Sequence, residues 1–179
     1  MIKMKEVSVI QPNLPAERAT EQDEYCSSDV RVLGFPKYLF STRTKLSRKL
    51  FQDEELSLSV TVDLLTGTVK TNDIYPKLES RELTSTSLLN PRLDKHIAGK
   101  KARSHVRRQV SRQYTTFTTP DIRTIEKDIA FKIFWAVPIM NSSTVSLIDS
   151  ITGEVTARNI ELENQSEEGS QSAVDRSSN

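Results

Sequence analysis

One cysteine, two histidines and five glycines are all that 179 residues offer of three residue types that often carry chemistry. A lone Cys26 excludes an internal disulfide and suits a reducing compartment. It stands in a polar stretch with no activating base nearby, which makes it an incidental thiol rather than a nucleophile. So few glycines argue against a Gly-rich phosphate loop. No Walker loop, dinucleotide fingerprint or Gly-x-Ser-x-Gly elbow occurs. His96 and His105 lie nine residues apart, not the four that would let one helix offer both to a zinc ion. A Ser-His-Asp triad needs no fixed spacing, yet nothing in the chain selects one. The expectation is therefore a protein with no catalytic residues, no metal ligands and no cofactor. Long apolar runs are missing as well: none approaches the ~20 residues of a membrane-spanning helix. The opening "MIKMKEVSVIQPNLP" is too short and interrupted for a signal peptide, Ile2 stands where myristoylation needs glycine, and there is no prenylation box. An intracellular protein, soluble or peripheral to a membrane, is expected.

What is present points to a folded body with polar ends. Hydrophobic residues make up 36%, below the usual globular level, while charge is ordinary at 27%. Residues 11–29 hold two prolines and five acids against one arginine, and residues 164–179 have almost nothing to bury. The expected layout is a largely disordered arm over 1–28, one β-rich α+β domain over 29–162, and a disordered tail over 163–179.

Within that body the patterning favours strands. "VRVLGFPKYLF" (Val30–Phe40) reads as a strand with a bulge or bend at its Gly-x-Pro, and "LSLSVTVDL" alternates cleanly, with Leu56, Leu58, Val60 and Val62 on one face. "IAFKIFWAVPIM" (Ile129–Met140), the most apolar run, reads as a central strand holding Trp135, with Pro138 limiting its far end. Helical patterns are fewer. Leu46 and Leu50 could share a helix face, and "TPDIRTIEKDI" could open a short helix. Lys77–Pro91 is ambiguous. The segment from Pro91 to Tyr114 predicts a helix whose apolar stripe is Leu93, Ile97, Val106, Val110 and Tyr114, with Gly99 as a point of division. The fold class expected is α+β: an antiparallel sheet with at least two hairpins, and one or two helices.

Two stretches repeat Asp-x-x-Thr-Gly-x-Val: Asp63/Thr66/Gly67/Val69 and Asp149/Thr152/Gly153/Val155. Each has the parts of a four-residue hairpin loop. The glycine takes the left-handed position, the aspartate accepts backbone N–H groups across the turn, and threonine adds a hydroxyl bond. One carboxylate per loop is too few for calcium, and one glycine makes a poor phosphate cradle. Over Val62–Val69 and Ile148–Val155 the pattern resembles the terminal hairpin of the bacterial PepSY domain. The likeness is confined to those residues.

Arg92–Arg112 carries eight cations (Arg92, Lys95, Lys100, Lys101, Arg103, Arg107, Arg108, Arg112) against one acid, Asp94. An ordinary solvated helix face mixes signs. This excess suits a polyanion, through counterion release, or anionic lipid headgroups. Lys100, Lys101, Arg103, Arg107, Arg108 and Arg112 are the candidate binding residues. Tyr114 and Phe117 only flank them, so sequence-independent backbone contact is favoured over base stacking. The acidic arm, the β-rich body and the basic segment together resemble small matrix proteins of negative-strand RNA viruses, the plant rhabdovirus type in particular. That resemblance implies self-association into a homo-oligomer, binding to nucleoprotein or nucleic acid, contact with anionic membrane, and a place in the virion. A small sequence-independent RNA- or DNA-binding accessory protein is the alternative. "YPKL" (Tyr75–Leu78) matches a short YPxL late-domain motif, but a strand ending at Tyr75 with Pro76 as its stop is the better explanation.

Overall fold

The computed structural model describes residues 3–21, 25, 29–46, 54–114 and 119–161. Cys26, Leu50, Phe117 and the expected tail lie outside them. Eight strands and two helices follow in the order β1 (Met4–Ile10), α1 (Ala16–Ala19), β2 (Arg31–Leu46), β3 (Glu54–Asp63), β4 (Val69–Asn72), β5 (Leu78–Thr84), α2 (Lys95–Gln113), β6 (Asp121–Pro138), β7 (Val145–Asp149) and β8 (Val155–Ile160). The class is α+β, as the patterning predicts.

All eight strands join one sheet, ordered β4-β3-β2-β6-β1-β5, with β7 on β6 and β8 on β7. The seam is β2 against β6, antiparallel from Arg31↔Ala136 to Lys45↔Asp121. Strand β6 is long enough to serve three neighbours. One edge is taken by β2; the other pairs with β7 from Phe134 to Pro138 and meets β1 in a parallel contact at Val9↔Phe131. Trp135, only 6% exposed, sits on this central strand as expected, and its Nε1 donates to the Leu14 carbonyl at 2.9 Å. Pro138 is the last residue of the strand.

Several expectations are corrected. The sheet takes in β1, from the stretch assigned to the arm. Val7 and Val9 are buried against Ile133, Trp135 and Val137, and β1 pairs with β5 along its whole length. Tyr25 is buried in the same cluster. Gly34-x-Pro36 puts no bulge in β2, whose register with β6 runs unbroken there. Gly34 instead admits a neighbour, because a Cβ there would lie 2.8 Å from Leu88 Cδ2. The bulge falls further on, between Ser41 and Thr42, opposite the extra residue Ile125. Residues 41–46 are strand, not helix: Thr42 and Thr44 are fully buried, and β-branched side chains favour the pleated surface. "DIRTIEKDI" is likewise the start of β6, held by eight residues of β2 rather than by any helical stripe of its own. Strand β4 stops at Asn72, three residues before Tyr75.

Residues alternate across the seam, so the sheet has two distinct faces. One carries Tyr38, Phe40, Val60 and Val62 under α2. The other carries Phe35, Lys37 and Leu39 of β2 beside Ala130, Lys132 and Phe134 of β6.

Candidate functional site

Helix α2 lies on the first face because a ridge of small residues recurs every fourth position. Ala98, Ala102, Val106 and Val110 are all fully buried against Tyr38, Phe40, Val60 and Val62. Burying each valine contributes roughly 1.5–3 kcal/mol. The two alanines contribute less and let the backbones approach. The expected stripe is therefore corrected at Ile97, which is 47% exposed, one position away from the alanine ridge. Leu93 and Tyr114 pack at the two ends. The helix starts at Lys95, not Pro91. Asp94 caps it, accepting from the His96 N–H at 2.7 Å. Gly99 does not divide it; a Cβ there would stand 3.2 Å from the Tyr38 hydroxyl, so glycine keeps helix and sheet close.

All eight cations of the segment are exposed. Among the described residues none of them forms an ion pair, and the single acid of the segment is spent on the cap. The helix spreads the six candidates over several surfaces. Lys100 and Arg103, with Lys95 and His96, line a groove of about 510 Å³ between α2 and β6, where Arg103 Nη2 donates to Thr124 Oγ1 at 2.9 Å. Arg108 and Arg112, with His105, line a second groove of about 390 Å³ beside β4. Lys101 reaches over the β3–β4 turn, its Nζ 3.4 Å from where a Gly67 Cβ would stand. Arg107 is exposed outside both grooves.

In the second groove the Thr71 hydroxyl donates to Gln109 Oε1 at 2.7 Å, leaving its oxygen to accept from His105 Nε2 at 3.0 Å. Burial lowers the His105 pKa below its ordinary value, and Arg108 and Arg112 push it the same way. The first groove contains Tyr38, but that ring is 7% exposed and offers no stacking platform. His96 and His105 thus open into different grooves, and no group of three or more His, Cys, Asp or Glu residues able to hold a metal occurs among the described residues.

Each repeated turn is built as its residues dictate. Asp63 Oδ1 accepts from the Leu65 and Thr66 N–H groups at 2.8 and 3.1 Å; Asp149 Oδ1 accepts from those of Ile151 and Thr152 at 2.9 and 3.4 Å. Gly67 and Gly153 both have φ +75°. Thr66 and Thr152 accept from the N–H two residues on. The repeated spacing gives no hint of the partner each aspartate also holds: Lys37 bonds Asp63 Oδ2, and Lys132 bonds Asp149 Oδ2. Both lysines come from the second face of the seam. Burial alone would raise the Asp63 pKa, but Lys37 and the two backbone N–H groups outweigh it and hold the carboxyl below its usual value.

Tyr75 and Leu78 of the YPKL segment pack toward Ile10, Leu39 and Ala130, and the Tyr75 hydroxyl donates to Asp128 Oδ2 at 2.7 Å. Burial and Asp128 together push the tyrosine pKa up. Among the described residues no helix is long and apolar enough to cross a membrane. Compared with known proteins, the chain matches no family model, no curated protein and no solved structure.

Proposed function

We propose that the chain is a non-catalytic structural or assembly protein, matrix-like, that docks on nucleoprotein or nucleic acid and on anionic membrane through the exposed side of α2. The observation that supports this is the set of eight exposed cations with no ion pair among the described residues. Cations without an ion-pair partner keep their charge available, and each phosphate they neutralise releases counterions. Helix α2 is fastened through its alanine and valine ridge, so its charged side, apart from the Arg103 bond to Thr124, is left to solvent. Three aspartates, by contrast, already have structural work: Asp94 caps the helix, and Asp63 and Asp149 brace turns. Self-association belongs to this reading, as the means by which many weak contacts become avid.

A membrane arm is favoured over a pure nucleic-acid binder by one observation: Ile97 stands exposed among the cations. An apolar side chain beside lysines and arginines suits the boundary between headgroups and acyl chains. Binding of the full chain to random single-stranded RNA and to anionic liposomes, measured against salt, tests the reading. Both affinities should fall steeply with salt, and Arg107→Glu with Arg108→Glu should weaken both without unfolding the protein. Sedimentation should show self-association. RNA binding without liposome binding would leave the accessory RNA-binding alternative; unchanged binding in the double variant would sink the α2 interface.

A further inference from the structure

The second face of the sheet holds a cavity of about 460 Å³ in which the two repeated turns meet. Asp63, Thr66 and Thr68 enter it from the first turn, and Asp149 from the second. Lys37 and Lys132 line it from β2 and β6, and Lys70 and Asn72 from β4. Its size lies within the range of small-molecule sites.

Counting donors and acceptors gives the wall a definite character. Both aspartates are mostly occupied: in each, one oxygen takes two backbone N–H groups and the other takes a lysine, three of about four lone-pair sites. The lysines are not. An ammonium has three donors, and among the described residues Asp63 is the one hydrogen-bond partner of Lys37, as Asp149 is of Lys132. Lys37 is only 8% exposed, so its remaining donors depend on what the cavity contains. The hydroxyl oxygens of Thr61 and Thr68 accept from Asn72 and Thr66, at 2.7 and 2.9 Å, and keep their own protons to give. Lys70 is exposed and has no ion pair among the described residues. Three lysines against two aspartates leave the lining one positive charge in excess. Ile10, Pro76 and Phe134 supply an apolar floor.

A cavity whose acceptors are mostly occupied, with unspent donors and a positive surplus, is complementary to an oxyanion. We propose that it binds a small molecule bearing a phosphate or carboxylate group, held by Lys37, Lys132 and Lys70 and oriented by the Thr61 and Thr68 hydroxyls, with a short carbon body on the apolar floor. The site uses none of the α2 cations and stands apart from the function proposed above.

Calorimetric titration of the full chain with inorganic phosphate, and separately with succinate, at constant ionic strength in chloride, tests this. Saturable binding of at least one is expected, and which one binds separates a phosphate-bearing from a carboxylate-bearing ligand. Charge-assisted hydrogen bonds are strong enough that Lys37→Met should weaken binding about tenfold or more. Thr68→Val and Lys70→Gln alter exposed residues and keep the test valid if Lys37→Met folds poorly. Each should weaken binding about threefold or more, while Arg107→Glu with Arg108→Glu leaves it unchanged. No saturable binding of either anion up to ~10 mM, a range that already includes affinities weaker than millimolar, overturns the proposal. So does binding that ignores the Thr68 and Lys70 substitutions, or that is lost only in the α2 double variant.

Discussion

The two Asp-x-x-Thr-Gly-x-Val turns agree in the bonds that backbone N–H groups give their aspartate and threonine, and differ in what surrounds them. In the first, the lysine is the buried partner: the Lys37 side chain is 10% exposed and that of Asp63 is 24%. In the second the order is reversed, with Asp149 at 7% and Lys132 at 23%. The register explains the swap. Lys37 stands directly across from Asp63, whereas the residue across from Asp149 is Phe134, and Lys132 reaches it from two positions away. Neighbours differ too. Lys101 and Leu93 of the α2 region approach Gly67, while Leu14 approaches Gly153. A short motif determines its own turn; the sheet decides which half of the ion pair bears the cost of burial.

The largest expected effect follows from that reversal. Removing one member of a buried pair strands the other. Asp63→Ala leaves the more deeply buried ammonium and should cost roughly 3–5 kcal/mol. Asp149→Ala leaves Lys132, which can turn partly to water, and should cost about 1–3 kcal/mol. For the lysines the order inverts: Lys132→Met should destabilise more than Lys37→Met, because it leaves the buried carboxylate. Urea unfolding of the four variants measures this, and identical costs within each type would erase the distinction between the turns. The acid limb sharpens it further. A carboxyl held below its ordinary value contributes stability above that value and loses it as pH falls through the folded pKa. Stability should therefore drop as pH falls below about 4, the ordinary aspartate value, and Asp63→Asn should flatten that slope.

A smaller effect tests the likeness rather than the difference. Gly67→Ala and Gly153→Ala both force a side chain to φ +75°, which costs roughly 1–2 kcal/mol. The two losses should agree closely, because the long side chains of Lys101 and Leu14 can give way. Least of all is expected at Ser150, which follows the second aspartate where the fully packed Leu64 follows the first, and whose buried hydroxyl has no hydrogen-bond partner among the described residues. Ser150→Ala should be neutral or stabilising by up to about 1 kcal/mol in thermal unfolding.

The turns were legible in the sequence because their determinants lie within seven consecutive residues. Alternation in Leu56–Val62 and the apolar run around Trp135 were legible for the same reason: period two and sustained burial are local signals. What escaped was set by distant partners. Ala98 and Ala102 carry the helix interface, yet alanine is too weakly apolar to compete with Ile97 in a periodicity reading. Strand β1 is seven residues with charged and polar positions in its first half, and only β5 and β6 make it a strand. The basic segment announced its charge but not its division between two grooves. Lys37 and Lys132 carried no signal at all, since a lysine within an apolar strand gains a meaning only when its aspartate arrives from elsewhere in the chain.

The bond from Trp135 to Leu14 joins groups 121 residues apart. During synthesis, β1 and the turn of helix after it emerge early and then wait for β6 before their valines can be covered. Closing so large a loop precedes its reward, which places folding in the slow range of ~ms to s for sheet-rich chains. For that interval the apolar half of β1 is an open strand edge, and the cell must keep it from pairing with another copy.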